Sequence, residues 1–253
     1  MTLFDLSGRL AFITGSSKGI GFALAQALAG AGASIVLNAR DPAALEEARS
    51  RLAETGATVH AVPFDVTDPE AVTAGIAKIE AQIGPIDILF NNAGMQHRTP
   101  LQDFPLDAWN RLISTNINSV FLVGQAVGRR MIERGRGKII NVCSVQSELA
   151  RPGIAPYTAT KGAIKMLTKG MATDWARYGL QVNGLGPGYF KTELNKALVE
   201  DEKFSAWLST RTPAGRWGDV SELAGAAIFL ASDASSFING HILYVDGGIT
   251  ASL

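Results

Sequence analysis

LAFITGSSKGIGFALAQALAGAGASIVLNA, residues 10–39, carries the pattern from which the fold follows. LAFIT (10–14) is a short apolar run that stops at a glycine, as a strand buried on both faces would. Behind it, Ile20, Ala23, Leu24, Ala27 and Leu28 share one helical stripe, and SIVLNA (34–39) returns as a strand. Strand, helix and strand in succession make a βαβ unit. Working outward, further strands are predicted at TVHAVPF (58–64), IDILFN (86–91), KIINVCS (138–144), LQVNGL (180–185) and HILYVDG (241–247). Asp41-Pro42 and Asp68-Pro69 each offer an N-cap with proline at the first helical position. Parallel strands require right-handed crossovers, so helices must cover both faces of a seven-stranded parallel sheet. The expected class is α/β, doubly wound. No linker, repeat or low-complexity segment divides the chain, and 1–253 reads as a single domain.

Composition narrows the partners. Apolar residues make up 47% of the 253 and charged residues 18%, enough to build a buried core and too little charge for a disordered chain. Basic and acidic residues balance at 23 each, so no net field draws the chain to nucleic acid or to an anionic membrane, and neither partner is expected. Cys143 stands alone, and His60, His97 and His241 have no zinc-ligand spacing, so no metal is expected. MTLFDLSGR lacks a basic run followed by an apolar stretch, and no window reaches the ~18 apolar residues of a membrane span. The expectation is a soluble, cytoplasmic protein.

Chemistry begins at the first strand-to-helix turn, TGSSKGIG (14–21), where Gly15, Gly19 and Gly21 could let the backbone and a helix N-terminus approach a pyrophosphate. The same glycines would also serve a turn needed only for helix packing. A second element is Tyr157-Thr-Ala-Thr-Lys161, which puts a phenol and an ammonium on one helical face. A positive neighbour favours the phenolate and makes a tyrosine usable as acid or base. Taken alone, this pair is also common on helix surfaces.

The joint arrangement is more specific: Asn91-Asn92-Ala93-Gly94 after the fourth strand, Ser144 after the fifth, then Tyr157 and Lys161, Pro187-Gly188 after the sixth strand and Asp246-Gly247-Gly248 after the last. In this the chain resembles the short-chain dehydrogenase/reductase family over nearly its whole length. The resemblance implies a Rossmann-type dinucleotide-binding catalytic domain and a homotetramer assembled through long helices and the C-terminal segment. It implies Tyr157 as acid/base, Lys161 as the residue that assists it and holds the nicotinamide ribose, and Ser144 as orienter of the substrate oxygen. Asn116, in the long fourth crossover helix, is implied as anchor of a proton-relay water, a role compatible with satisfying backbone groups in a buried helix at the same time. The implied cofactor contacts are Gly15, Ser17, Lys18, Gly19, Ile20, Gly21, Asp65, Val66, Asn92, Ala93, Gly94, Pro187, Gly188 and Thr192, with Tyr157 and Lys161.

Cofactor choice is read at the end of the second strand, where an acid selects the ribose 2′-hydroxyl and a base the 2′-phosphate. Asn38-Ala39-Arg40 places alanine where NAD-preferring members carry an acid, with Arg40 next and Lys18 nearby, so NADP(H) is expected over NAD(H). The alternative makes Asp41 the ribose ligand rather than a helix cap. Four stretches, 91–105, 143–168, 187–201 and 211–219, resemble members acting on sugar acids. In those, two adjacent arginines follow the fourth strand; here His97 precedes a single Arg98, and Gly186 replaces an alanine. Arg98 could bind a carboxylate through two parallel hydrogen bonds, or be a solvated loop arginine. Gln146 and Glu148 are candidates for polyol hydroxyls, with Ser144 and Tyr157 at the reacting oxygen. Glu148 could instead be a helix-surface acid, or meet the substrate through a divalent cation. Rival readings are reduction of a 3-oxoacyl thioester or a polyol-derived ketone, and a non-catalytic NADP sensor.

Overall fold

The seven predicted strands form one parallel sheet in the order β3-β2-β1-β4-β5-β6-β7. They are β1 (Leu10–Ile13), β2 (Ser34–Leu37), β3 (Val59–Ala61), β4 (Ile88–Asn91), β5 (Gly137–Val142), β6 (Leu180–Pro187) and β7 (Ile242–Val245), in a computed structural model describing residues 2–253, Met1 lying outside them. Register places Ala11 beside Ile35 on one side and Ile88 on the other. The chain therefore winds one way from β1 through β2 and β3, then the other way from β4 onward.

Helices α1 (Gly19–Gly30), α2 (Pro42–Ala53), α3 (Pro69–Gln82), α4 (Leu106–Ile113), α5 (Ser119–Arg134), α6 (Ala155–Trp175), α7 (Lys196–Val199), α8 (Glu202–Arg211) and α9 (Ala224–Ala231) complete the chain. They explain why the strands read as continuous apolar runs. Ala11 and Ile13 point into a core made with Leu24, Leu28, Leu45 and Leu230 of α1, α2 and α9. Leu10 and Phe12 point to the opposite face, against Ile76, Ile79, Val127 and Met171 of α3, α5 and α6. Burying a side chain such as Phe12 contributes about 1.5–3 kcal/mol before entropy is counted. No helix among the described residues is long and apolar enough to cross a membrane.

Both aspartate-proline pairs cap helices as their sequence implies. Asp41 accepts from the Ala43 and Ala44 amides at 2.9 and 3.2 Å, and Asp68 does the same for Glu70 and Ala71. Three expectations are corrected. The buried face of α1 is Gly21, Phe22, Leu24, Ala25 and Leu28. Ile20, Ala23 and Ala27 are only half-buried shoulders, because small side chains let sheet and helix meet along the glycine edge. The third strand keeps only Val59–Ala61 of the predicted 58–64, since Pro63 lacks an amide to continue a ladder. The long fourth crossover helix is interrupted by a π-helical turn over Ser114–Asn118.

At Gly186 the structure explains the missing alanine. A methyl there would stand 2.4 Å from Tyr244 Cδ1, and Tyr244 is held in place by donating its hydroxyl to Glu148 Oε1 at 2.9 Å. Gly186→Ala is therefore expected to lower unfolding free energy by about 1–3 kcal/mol, as overpacking does. In a Tyr244→Ala background the same change should cost little, and urea titrations of the four proteins would show the coupling.

Candidate active site

The site lies at the carboxyl ends of β1 and β4, where the winding reverses and neighbouring loops diverge. Gly15 and Gly19 have φ of 62° and 59°, the left-handed region that favours glycine. Gly15 also has no room for a side chain, since a Cβ would stand 2.8 Å from Ala93 Cα. Gly21 would collide with Asn92 Nδ2 and the Gly15 carbonyl, each at 2.4 Å. These contacts close the turn tightly. Lys18, the N-cap of α1, makes no side-chain cap, so the first amides of the helix face the crevice. A cleft of about 500 Å³ opens there between Gly19, Phe22 and Ala23 on one side and Lys191 and Thr192 on the other.

Asn92 belongs to the scaffold of this turn. Its Nδ2 donates to the Thr14 and Gly15 carbonyls, both at 2.9 Å, while Thr14 Oγ1 accepts from the Asn92 and Ala93 amides at 3.0 Å. Thr14 was not singled out from sequence, because a threonine closing a strand carries no signal of its own. Beyond β2, Arg40 is largely exposed and 3.8 Å from Asp65 Oδ2, whose other oxygen accepts from Thr67. Asp41 is committed to capping α2, which leaves the cation as the forward-facing group at this strand end. Val66 is buried beside it.

The structure brings Ser144, Tyr157 and Lys161 together between the end of β5 and the first turns of α6. Lys161 is buried, donates from Nζ to the Val142 carbonyl at 2.7 Å, and lies 5.7 Å from the centroid of the Tyr157 ring. Ser144 Oγ accepts from the Gln146 amide at 3.1 Å, so its own proton remains free to donate. Asn116 is delivered by the π-helical turn, a common device at functional sites. Its Oδ1 accepts from the Met95 amide at 2.8 Å, and its Nδ2 donates to the Met95 carbonyl and to Thr160 Oγ1. The backbone-satisfying reading of Asn116 is thus the geometry observed. Pro187 and Gly188 close β6, where a Cβ on Gly188 would meet Asp246 Cα at 2.7 Å.

On the substrate side the candidates separate. Gln146 is buried, donates to Tyr189 Oη at 3.2 Å, and keeps Oε1 buried with no hydrogen-bond partner among the described residues. Arg98 donates to Asn195 Oδ1 at 3.2 Å, and burial together with the neighbouring Arg151 guanidinium lowers its pKa from the ordinary value. His97 bonds Thr99 Oγ1 at 3.0 Å and packs edge-on against Phe104. Glu148 turns instead to Lys165, at 2.5 Å, and to Tyr244; the Lys165 bond holds its carboxyl below the usual range. It closes the short helical turn Val145–Ser147 as an exposed acid paired with a lysine. Among the described residues no three His, Cys, Asp or Glu gather as a metal site. Arg151 and Tyr189 lie within the stretches 143–168 and 187–201 without being candidates there, because loop residues without periodicity carry no signal of their own.

A nucleotide fold whose first loop leaves no space for side chains, joined to a Ser, Tyr and Lys cluster, defines a dinucleotide-dependent oxidoreductase site. The family described as enoyl-(acyl carrier protein) reductase matches residues 15–250, and the chain belongs to the short-chain dehydrogenases/reductases. It is 63% identical over 251 residues to a gluconate 5-dehydrogenase of Gluconobacter oxydans, covering 99% of this chain and 98% of that protein. It is 54% identical to a 5-keto-D-gluconate 5-reductase of Escherichia coli, with 99% of each covered. A solved gluconate 5-dehydrogenase of Burkholderia cenocepacia, in complex with NADP and tartrate, superposes with a TM-score of 0.98 at 59% identity, over 100% of this chain and 99% of that one.

Removing Asn116 tests its structural role. Asn116→Ala leaves the Met95 amide and carbonyl without their partner, at a cost of about 1–3 kcal/mol per buried group left unsatisfied. A chemical-denaturation midpoint unchanged from the parent protein would rule that role out.

Proposed function

We propose that the chain is an NADP-dependent oxidoreductase that interconverts D-gluconate and 5-keto-D-gluconate, acting as one catalytic domain over 1–253. The observation that carries this reading is the convergence of Ser144, Tyr157 and Lys161 beside the Gly15–Ala93 and Gly21–Asn92 contacts, with Arg98 on the adjoining loop. Relatives named for this reaction at 63% and 54% identity, and a solved relative holding NADP and tartrate, point to the same substrate class and cofactor.

The residues present fit a dinucleotide. At the turn a Cβ on Gly19 would stand in open space, and the uncapped start of α1 offers amides to a pyrophosphate. Ser17, Lys18, Gly19 and Ile20 would hold the phosphates with Thr192 across the cleft, and Arg40 with Lys18 would favour a 2′-phosphate. Asp65 and Val66 would meet the adenine, and Ala93, Gly94, Pro187 and Gly188 the nicotinamide half. NADP(H), when bound, supplies the hydride acceptor in oxidation and the donor in reduction.

The remaining work falls to side chains. In oxidation Tyr157 Oη takes the proton of the C5 hydroxyl, and in reduction it returns one to the C5 oxygen. Ser144 donates its free hydroxyl proton to that oxygen and fixes its position. Lys161, anchored by Val142, places positive charge beside the phenol where negative charge develops, and its other protons are available to ribose hydroxyls. Arg98 pairs with the carboxylate, and Gln146 Oε1 accepts from a substrate hydroxyl. We also propose a cytoplasmic homotetramer, supported by the exposed Phe121 on α5 and Met166 on α6, whose apolar side chains fit an interface between long helices.

Oxidation of NADPH by 5-keto-gluconate, followed by absorbance, tests the activity directly; turnover of a 3-oxoacyl thioester instead would overturn the substrate. Tyr157→Phe is expected to lower turnover by about 10²–10⁴-fold with cofactor binding retained. Near-parental turnover would refute the proton-transfer role. Arg40→Ala should weaken NADPH far more than NADH in fluorescence titrations, since only the former carries the extra phosphate. Equal weakening of both would make Arg40 a support of its loop.

A further inference from the structure

Arg151 lies on the turn before α6, and the reaction as described above makes no use of it. The turn is tied to the loop that carries Arg98, because the Thr99 amide donates to the Gly153 carbonyl at 3.2 Å. Two guanidiniums are thereby held on adjoining loops at the same mouth of the site. Bringing like charges together costs free energy unless an anion stands between them.

The contacts of Arg151 leave it suited to such an anion. It stacks over the Phe204 ring of α8 at 5.3 Å and donates to the Pro152 carbonyl at 3.3 Å, and Phe204 in turn packs against the Tyr189 ring with centroids 5.8 Å apart. None of these partners is a carboxylate. Its Nε is buried with no hydrogen-bond partner among the described residues, and Nε is one of the donors through which arginine grips a carboxylate with two parallel bonds. A line of contacts connects this end of the pocket to the reacting centre: Arg151 over the Phe204 ring, Phe204 against Tyr189, Gln146 Nε2 donating to Tyr189 Oη, and the Gln146 amide donating to Ser144 Oγ. In a six-carbon acid the C1 carboxylate stands four bonds from C5. A carboxylate grip must therefore sit one segment away from Ser144 and Tyr157, at the far end of such a line.

We propose that Arg151 is a second substrate-recognition residue, which with Arg98 forms a two-guanidinium clamp on the carboxylate of a polyhydroxy acid. The proposal rests on the sugar-acid reading of the site. It adds that selectivity for an acid over a neutral ketose is shared between two loops. Arg98 reaches the carboxylate from the loop after β4 and Arg151 from the turn before α6, where the Phe204 ring fixes the plane of its guanidinium.

The test uses the full-length protein with NADPH, and compares Arg151→Ala, Arg151→Lys, Arg98→Ala and the double variant. Substrates are 5-keto-gluconate and a neutral ketose of the same carbon number, with tartrate as a competing anion. Arg151→Ala is expected to raise KM for the acid and the inhibition constant of tartrate by at least about tenfold, as loss of one partner of a desolvated charge pair does. NADPH binding and kcat/KM for the ketose should stay within about twofold of the parent. Arg151→Lys, which keeps charge and loses the fork, should fall between. The double variant should lose less than the product of the single losses, because both arginines grip one group. Equal loss on acid and ketose would overturn the clamp and make Arg151 a support of the turn, as would independent, multiplicative losses. Should the parent protein fail to reduce 5-keto-gluconate while tartrate inhibition still depends on Arg151, the clamp stands for another hydroxy acid and the gluconate reading falls.

Discussion

Two hydrogen bonds from one amide hold the place where the sheet changes direction. Asn92 Nδ2 donates to the carbonyls of Thr14 and Gly15, so the loop leaving β4 is fastened to the loop leaving β1 at the point where the winding reverses. Everything at the front of the molecule is placed relative to that fastening. Gly15 lies against Ala93 and Gly21 against Asn92 because the bonds draw the loops together, and neither glycine has room for a methyl. The start of α1 is then aimed into the crevice rather than onto the sheet. Its unsatisfied amides and its dipole act on whatever anion enters.

A second set of bonds fixes the chemistry against this frame. Lys161 is held by the Val142 carbonyl, and Ser147 Oγ donates to the Lys161 carbonyl at 2.9 Å, so α6 is tied to the end of β5 at two levels. Asn116 ties the π-helical turn to Met95 and to Thr160, one residue before Lys161. The segment leaving β4, the π-helical turn and α6 thus share one network of buried hydrogen bonds. Precise placement of a reacting side chain depends on such support, since a small displacement costs a large part of the rate.

What the chain discloses before folding follows the physics of each part. Buried parallel strands read as apolar runs because two helical layers cover them, and the pairs Ala11/Ile13 and Leu10/Phe12 show both layers taking alternate residues of one strand. Aspartate-proline caps are local and were legible for the same reason. On α1, Leu24 and Leu28 lie on the buried face as the stripe implies, while Gly21, Phe22 and Ala25 complete it in place of Ile20, Ala23 and Ala27, since a glycine contributes to a close helix–sheet contact without registering as apolar bulk. The π-helical turn left no trace in composition, because it changes the hydrogen-bonding of a helix and not its residue types. The positions of Ser144, Tyr157 and Lys161 could be read from spacing and resemblance. The engagement of Glu148 with Lys165 and Tyr244 could not, because the partners lie 17 and 96 residues away.

The distribution of charge explains how a chain with no net charge could serve anionic ligands. Three acids near the site are engaged by their own structure, Asp41 in the cap of α2, Asp65 with Thr67 and Arg40, and Glu148 with Lys165, while Glu193 and Glu200 line the cleft beside Lys191 and Lys196. The cations at the same rim are held differently. Lys18 caps nothing through its side chain, Arg40 is 79% exposed with Asp65 at 3.8 Å, and the described partners of Arg151 are a carbonyl and an aromatic ring. A balance of 23 against 23 over the whole chain is therefore compatible with cations standing where phosphate and carboxylate groups would enter. Local fields of this kind act over a few ångströms and determine which ligand is drawn in, whereas net charge governs solubility and non-specific association. The neutral total that argues against nucleic acid and membrane is for that reason compatible with a site built for two anions at once.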